Sequence, residues 1–201
     1  MASSDGSKLA LFEDSIDNSV NIEDNIILPR KSLLELSKII DKIDELINIT
    51  YSRNYIRFEF KDTLNIFSSK LIDSKYPNYS RATNIDFFSK INIKKSELKD
   101  ALSRVIVLAD EKNKGVTLEI DNNQIRLISR NPNNESAYEE INIEYSGSPI
   151  RISFSCQKLL EAINNTDTDS LIISISTKLS NIIIEPNNNS NYKYIVMSMR
   201  L

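Results

Sequence analysis

The chain has no histidine and no tryptophan, a single cysteine and only three glycines in 201 residues. Each scarcity removes a class of chemistry. Without histidine there is no Ser-His-Asp or Cys-His catalytic set and no imidazole to hold a metal. The lone cysteine, Cys156, has no partner for an internal disulfide, which suits a reducing cytoplasm. Its setting, Phe154-Ser155-Cys156-Gln157 ahead of a helix, is one that can lower a thiol pKa, yet no base accompanies it. There is no glycine-rich phosphate loop, no apolar run long enough to cross a membrane, and no segment that reads as a signal peptide. What remains for an enzyme is a carboxylate pair, and the acidic residues are scattered among lysines as solvated surface. The expectation is a cytoplasmic protein that catalyses nothing and carries no cofactor or metal. A hydrolase built on paired carboxylates has no motif behind it.

What is present is apolar patterning and repetition. The hydrophobic fraction is 40%, and Ile and Leu are plentiful enough to build a core in one large domain or two small ones. The net charge of −3 excludes a generic nucleic-acid glue. Lys31-Ser32-Leu33-Leu34-Glu35 is answered by Gln157-Lys158-Leu159-Leu160-Glu161, 126 positions later. At the same offset Ile47-Asn48-Ile49-Thr50 meets Ile173-Ser174-Ile175-Ser176, and Tyr55-Ile56-Arg57-Phe58 meets Asn181-Ile182-Ile183-Ile184. One residue later in register, Ser68-Ser69-Lys70-Leu71 meets Ile195-Val196-Met197-Ser198. Period-two alternation marks half-buried strands, and the Leu-Leu-Glu segments open helices.

Each copy therefore ends as strand, helix and three antiparallel strands. The second copy shows more in front of this. Residues 86–93 read as a strand, Lys94 to Asp110 as an amphipathic helix, and Val116–Ile120, Gln124–Ser129 and Ser136–Tyr145 as strands between Asn/Gly/Pro turns. The complete unit is βαββββαβββ over about residues 84–201, a single-domain size. By the same offset the first copy would begin some forty residues before Met1. Residues 1–25, polar and rich in Ser, Asp and Asn, are expected to be the most mobile. On the first helix Leu33, Leu36, Ile40 and Ile43 form the expected apolar stripe, with Lys31, Lys38 and Lys42 opposite. On the second, Leu98, Leu102, Val105 and Ala109 are the buried stripe, and Lys95 and Lys99 share a flank.

The chain ends on an apolar run, Tyr194-Ile195-Val196-Met197-Ser198-Met199-Arg200-Leu201, where chain ends usually fray. It points to a strand paired to its last residues, with Met197 and Met199 on one face. This terminus resembles that of the bacterial sliding clamp, the β subunit of DNA polymerase III. Further segments agree in order: Ser4-Asp5-Gly6-Ser7-Lys8-Leu9-Ala10, Leu28-Pro29-Arg30-Lys31, Ser69-Lys70-Leu71-Ile72-Asp73 with Tyr76-Pro77-Asn78-Tyr79-Ser80-Arg81, Asn113-Lys114-Gly115-Val116, and Tyr145-Ser146-Gly147. Together they cover essentially the whole chain.

The resemblance implies an α+β DNA-clamp fold, two helices packed on a curved antiparallel sheet per domain, with the first copy incomplete. Residues 1–82 would be the C-terminal half of the middle domain and 83–201 the complete C-terminal domain. It implies a processivity factor that surrounds duplex DNA without reading its sequence, with Lys31, Lys38, Lys42, Lys95 and Lys99 facing it. The implied partners are DNA polymerase, clamp-loader subunits and other proteins with a clamp-binding motif, and no membrane. They would dock through a groove for a short peptide carrying glutamine and large apolar side chains. Matched motif to motif, that groove takes Gly6, Lys8, Leu9, Pro77, Arg81, Ala82, Ile195, Met197, Met199, Arg200 and Leu201. Ser7 and Ser198 depart from the family's usual His and Pro, and Ser155 and Lys158 from its frequent Asn and Tyr at a second, shallower subsite. Ring closure in the family uses a first domain that this chain does not contain. The alternative is a truncated clamp fragment that binds partner peptides and never encircles DNA.

Overall fold

The computed structural model describes residues 1–15, 25–83, 86–188 and 191–200. The chain divides into two compact units, Met1–Ile16 with Ser80–Leu201, and Asp17–Tyr79.

The larger unit contains strands β1 (Ala2–Ser4) and β2 (Lys8–Phe12), and later the short helix α2 (Ser80–Thr83). There follow β6 (Phe87–Lys94), α3 (Lys95–Val105), β7 (Gly115–Asp121), β8 (Gln124–Arg130), β9 (Ser136–Asn142), β10 (Ile150–Ser155), α4 (Cys156–Asn164), β11 (Ser170–Ser176), β12 (Asn181–Pro186) and β13 (Tyr192–Met197). From β6 onward this is the expected βαββββαβββ order. Two antiparallel sheets result, one of four strands in the order β10-β7-β8-β9 and one of six in the order β1-β2-β13-β12-β11-β6. One core joins both sheets to α3 and α4. In it lie Leu98, Ala101, Leu102 and Val105 of α3, Leu159, Ala162 and Ile163 of α4, and Leu171, Ile173 and Ile175 of β11. The spacing of the α3 set puts them on one helical face, and the period of two in β11 puts that set on one sheet face.

Two expectations change here. Helix α3 stops at Val105, short of Asp110, and tightens into a single 3₁₀ turn at Ile106–Leu108. The Ser129 hydroxyl donates to the Val105 carbonyl at 2.5 Å, satisfying an acceptor that the helix end leaves open. Residues 2–4 and 8–12, within the stretch expected to be mobile, are paired strands, because β2 lies against β13. Residues 16–24 of that stretch lie outside the described residues.

Scarce glycine is offset by asparagine. The two-residue turn between β7 and β8 places Asn122 and Asn123 at φ of 48° and 62°, and Asn134 sits at 63° in the turn before β9. Asn tolerates this left-handed region better than most side chains, and a tight hairpin needs it at both central positions.

The smaller unit holds α1 (Arg30–Ile40), β3 (Ile47–Tyr51), β4 (Tyr55–Phe60) and β5 (Ile66–Lys70), with the three strands antiparallel in that order. Its core is Leu36, Ile56, Phe58, Phe60 and Leu71, with Ile39 and Ile43 packed against them. The apolar stripe of α1 is rotated from the expected one: Leu33 and Ile40 are exposed, and Leu36, Ile39 and Ile43 face the sheet. No strand precedes α1 within residues 25–29.

The three strands that follow the helix repeat in both copies, with one adjustment. Phe58 pairs with Ile49 and Phe67, while Ile184 pairs with Ile173 and Tyr194. With β4 and β12 aligned at 126, β5 and β13 align at 127 as expected, but β3 and β11 align at 124. The two-residue difference is taken up in the β3–β4 and β11–β12 turns. An even shift keeps every side chain on its face.

Cys156 is buried at the start of α4, its thiol against the Leu102 carbonyl at 3.4 Å. Burial pushes its pKa up to about 12, the opposite of a reactive thiol. Since the folded value lies above the free value of 9.0, the neutral thiol contributes its full stability below pH 9 and loses it as pH rises toward 12. The stability difference between the wild-type chain and Cys156→Ala, from urea midpoints, should therefore shrink between pH 8 and pH 11. A constant difference would contradict a neutral, buried thiol.

Candidate functional site

The final strand is held on both sides. β13 pairs with β12 and with β2, so Ile195 lies between Leu9 and Ile183 in the ladder. Alternation sends Tyr194 and Val196 into the main core and Ile195 to the opposite face. There Leu9, Leu11, Ile183 and Ile195 form a second apolar cluster, with Ala2 and Ala82 packed against it. Leu9 and Ile195 are 4% and 1% exposed, so they are sealed floor residues, whereas Met197 is 40% exposed at the same face's end.

Backbone bonds carry this order past the end of the strand. The Met197 N–H donates to the Ser7 carbonyl at 3.0 Å, Ser198 N–H to Ser180 at 2.8 Å, and Met199 N–H to Ser153 at 2.8 Å. Met199 is half-buried and Arg200 exposed. The strand itself ends at Met197, short of the expected last residues, and beyond it the backbone is held by the turn before β12 and by β10.

The β1–β2 turn forms the other wall. Gly6 takes φ +86°, a conformation that L side chains rarely adopt, and Asp5 holds the turn closed. Its carboxylate accepts the N–H groups of Ser7 and Lys8 at 2.9 and 3.0 Å and the Ser7 hydroxyl at 2.7 Å. Partial burial works to raise the Asp5 pKa. The Ser7 and Lys8 hydrogen bonds and the Lys8 charge outweigh it and leave the group below its ordinary value.

Lys8 does not face the apolar cluster. Alternation turns it to the side of α4, where its ammonium pairs with Glu161. Tyr194 donates to the same carboxylate at 3.3 Å, and Lys158 Nζ donates to Ser7 Oγ at 2.5 Å. Burial, then the Glu161 charge, pushes the Tyr194 hydroxyl well above its usual range. These groups tie the β1–β2 turn to α4, so Lys8 and Lys158 act as struts.

Of the remaining residues expected to line the groove, Ala82 joins the cluster through α2, and Pro77 is an exposed residue of the smaller unit. The Arg81 side chain and Leu201 lie outside the described residues. The lysines divide similarly. Lys31, Lys42 and Lys99 are exposed, Lys38 is bridged to Glu35 at 2.9 Å, and Lys95 turns inward to the Thr166 carbonyl at 2.5 Å.

A cleft of about 930 Å³ lies elsewhere on the larger unit, lined by Asn92, Lys94, Glu97, Asp100, Arg104, Glu140 and Glu144 among others. Its Arg104 makes a two-pronged bond to Glu139, both contacts 2.8 Å. Among the described residues, no group of three or more Asp, Glu, Cys or His is placed to hold a metal ion. No helix among them is long and apolar enough to cross a membrane.

Sequence reasoning missed Leu11, Ile183 and Glu161. The period of two through Leu9 and Ile195 contained a signal for Leu11 and Ile183.

The family model for the C-terminal domain of the DNA polymerase III beta subunit matches residues 85–200, and the model for the central domain of the same protein matches residues 1–78. The chain is similar to the Beta sliding clamp of Buchnera aphidicola, 33% identical over 98% of this chain and 53% of that protein. It is similar to that of Escherichia coli K12 at 30%, over 98% of this chain and 53% of that protein. Among solved structures, the DNA polymerase sliding clamp of Pseudomonas aeruginosa superposes with a TM-score of 0.91 at 30% identity, covering 100% of this chain and 55% of that one. A P. aeruginosa clamp bound to griselimycin also gives 0.91 at 30% identity, with 100% and 54% covered. The chain thus spans about half the length of the relatives it matches. On the two consecutive domain matches and the clamp fold, the chain belongs to the family of DNA polymerase III beta subunits.

Proposed function

We propose that this chain is the middle-to-C-terminal portion of a DNA sliding clamp, a processivity factor without catalytic activity that works in the cytoplasm. It surrounds duplex DNA, blind to sequence, and tethers polymerase, clamp-loader subunits and repair proteins. Residues 1–82 form the second half of a middle domain and 83–201 a complete C-terminal domain. The observation that carries the reading is the junction of β2 with β13, which sets Leu9 beside Ile195 and leads to the exposed Met197.

That face suits a short peptide with large apolar side chains. Leu9, Ile195 and Ala82 give a preformed apolar floor, and Met197 adds an adaptable rim. Arg81, Met199, Arg200 and Leu201 complete the groove in this proposal, and Gly6 allows the tight turn that forms its wall. A tethered partner gains effective concentration at the primer end without any tighter grip on DNA.

Toward DNA, exposed lysines on helices supply weak, salt-sensitive contacts that fix no register. Lys31, Lys42 and Lys99 have free stems to reach phosphates, and Lys38 does so after leaving Glu35. Lys95 contributes charge from a held position.

A second reading, a fragment that binds partner peptides without encircling DNA, is favoured by one observation. The apolar floor and Met197 all lie in the larger unit, so peptide binding needs no closed ring. Retention on circular but not linearised DNA supports the ring, and peptide binding without such retention supports the fragment.

Replacing Leu9 and Met197 together by Ala should weaken binding of griselimycin, or of a peptide bearing glutamine, leucine and phenylalanine, by about 2 kcal/mol or more. Unchanged affinity in calorimetry would reject the groove. Reversing Lys31, Lys38 and Lys42 to Glu should spare peptide binding and lower retention on DNA, more at low salt than high. Equal loss of both would mean a damaged fold.

A further inference from the structure

The smaller unit exposes an apolar face and a sheet edge whose counterparts in the larger unit are covered. In its sheet, ordered β3-β4-β5, strand β3 has β4 on one side and, among the described residues, no strand on the other. β3 reads Ile47-Asn48-Ile49-Thr50-Tyr51, without a charge and without proline. Charge and proline are what usually protect an open edge, and a strand lacking both is a template for another strand. Ser52 N–H donates to the Tyr55 carbonyl at 2.8 Å and Lys61 N–H to the Leu46 carbonyl at 3.2 Å, which fixes the residues that bond β4. Bonded residues alternate in an antiparallel ladder, so the N–H and C=O groups of Ile47 and Ile49 aim at the open edge.

The repeat shows what such an edge receives. In the alignment of β3 with β11, Ile49 answers Ile173, and Ile173 stands opposite Ile91 of β6 in a full ladder. On the helix, Leu33, Ser37 and Ile40 answer Leu159, Ile163 and Thr166, all buried, at and just past the helix that packs against α3. Ile173 and Leu159 are 2% and 3% exposed, whereas Ile49 and Leu33 are 57% and 45% exposed. The same positions of the fold are core in one copy and surface in the other. Ser37 is suited to burial, since its hydroxyl already donates to the Leu34 carbonyl at 3.0 Å.

We propose that this face is an interface between two copies of the chain, which pair through β3 and α1 about a twofold axis. An antiparallel edge pair is self-complementary, as a twofold contact requires. Centred on Ile49, it sets Ile49 against Ile49 of the second copy as a bonded pair and joins two three-stranded sheets into one of six. Residues directly opposite share a face, and Ile49 lies on the face of Phe58, which packs with Leu36 of α1. Both copies of α1 therefore cover one side of the joined sheet, where Leu33, Ser37 and Ile40 of each come together. Charge agrees with this register, which places Glu45 opposite Arg53 of the second copy, twice over by symmetry. Arg53 is exposed, and Glu45 is held at its end of the strand by the N–H groups of Asp62 and Thr63. The opposite edge, β5, carries Lys70 and is the poorer template. A second copy brings the matching edge, the matching apolar face and the opposite charge at once.

Sedimentation equilibrium of the full 201-residue chain tests the interface. The mass should rise to that of two chains as concentration passes through the micromolar range. Ile49→Lys and Ile49→Glu should each weaken association about tenfold or more, because each sets a charge against its own copy at the centre of the pair. The two variants mixed one to one should regain it, since opposite charges then meet there, and that recovery also shows both to be folded. Arg53→Glu, at an exposed turn position, should weaken association about threefold or more with unchanged circular dichroism. A wild-type chain that keeps the mass of one copy, association unaffected by Ile49→Lys, or a mixture no tighter than either variant alone would each overturn the proposal.

Discussion

One strand pairing supports everything else. β13 is bonded to β12 on one side and to β2 on the other, so the first strands of the chain and the last share a sheet. Without β2, the Ile195 face would lose Leu9 and Leu11, and the cluster opposite the main core would not exist. Without β12, the terminus would lose Ile183 and the ladder that pairs its residues 194–197. Ladder hydrogen bonds each contribute little net free energy, but burial of four aliphatic side chains on a face away from the main core makes the pairing cooperative.

The two faces of that sheet are differently built. Toward the helices, Tyr194 and Val196 pack into a large core with α3 and α4. On the other side a small apolar cluster grades into the exposed Met197. The turn that carries Gly6 is fixed from three directions: by Asp5 within the turn, by Lys8 on Glu161, and by Lys158 on Ser7. Exposed ion pairs contribute little singly. Here their effect is geometric, since each limits where the rim of the face can move.

Much of this is legible in the residues. The repeat is written as Leu-Leu-Glu followed by alternating strands, and the three strands after the helix follow that pattern apart from the two-residue shift at β3 and β11, whereas the strand expected before α1 is absent from residues 25–29. The apolar terminus announces a paired strand because nothing else explains Ile195 and Val196 so near a chain end. The α1 stripe is ambiguous in sequence because Leu33, Leu36 and Ile40 fit helical spacing as well as Leu36, Ile39 and Ile43 do. Only the sheet beneath decides between them. Helix α3 reads too long because Ile106 and Leu108 continue its apolar period, and periodicity does not register the tightening to a 3₁₀ turn. Within the site, Leu9 and Ile195 are legible from alternation and motif. The inward turn of Lys8 and Lys95 is not, since a lysine's partner lies far away in sequence: Glu161 for one, the Thr166 carbonyl for the other. Asn122, Asn123 and Asn134 also gain a physical reason, in turns where a scarce glycine would otherwise sit.

β2 and β13 meet in one sheet, and on that the proposed groove and its rim both depend. Hydrogen exchange resolved to single residues tests it directly, read at the backbone amides of 8–12 and 192–197. Both stretches should be strongly protected and open together, with Met197 protected through its bond to Ser7. Exchange of residues 8–12 at the rate of an unstructured chain, while 192–197 stay protected, would contradict it.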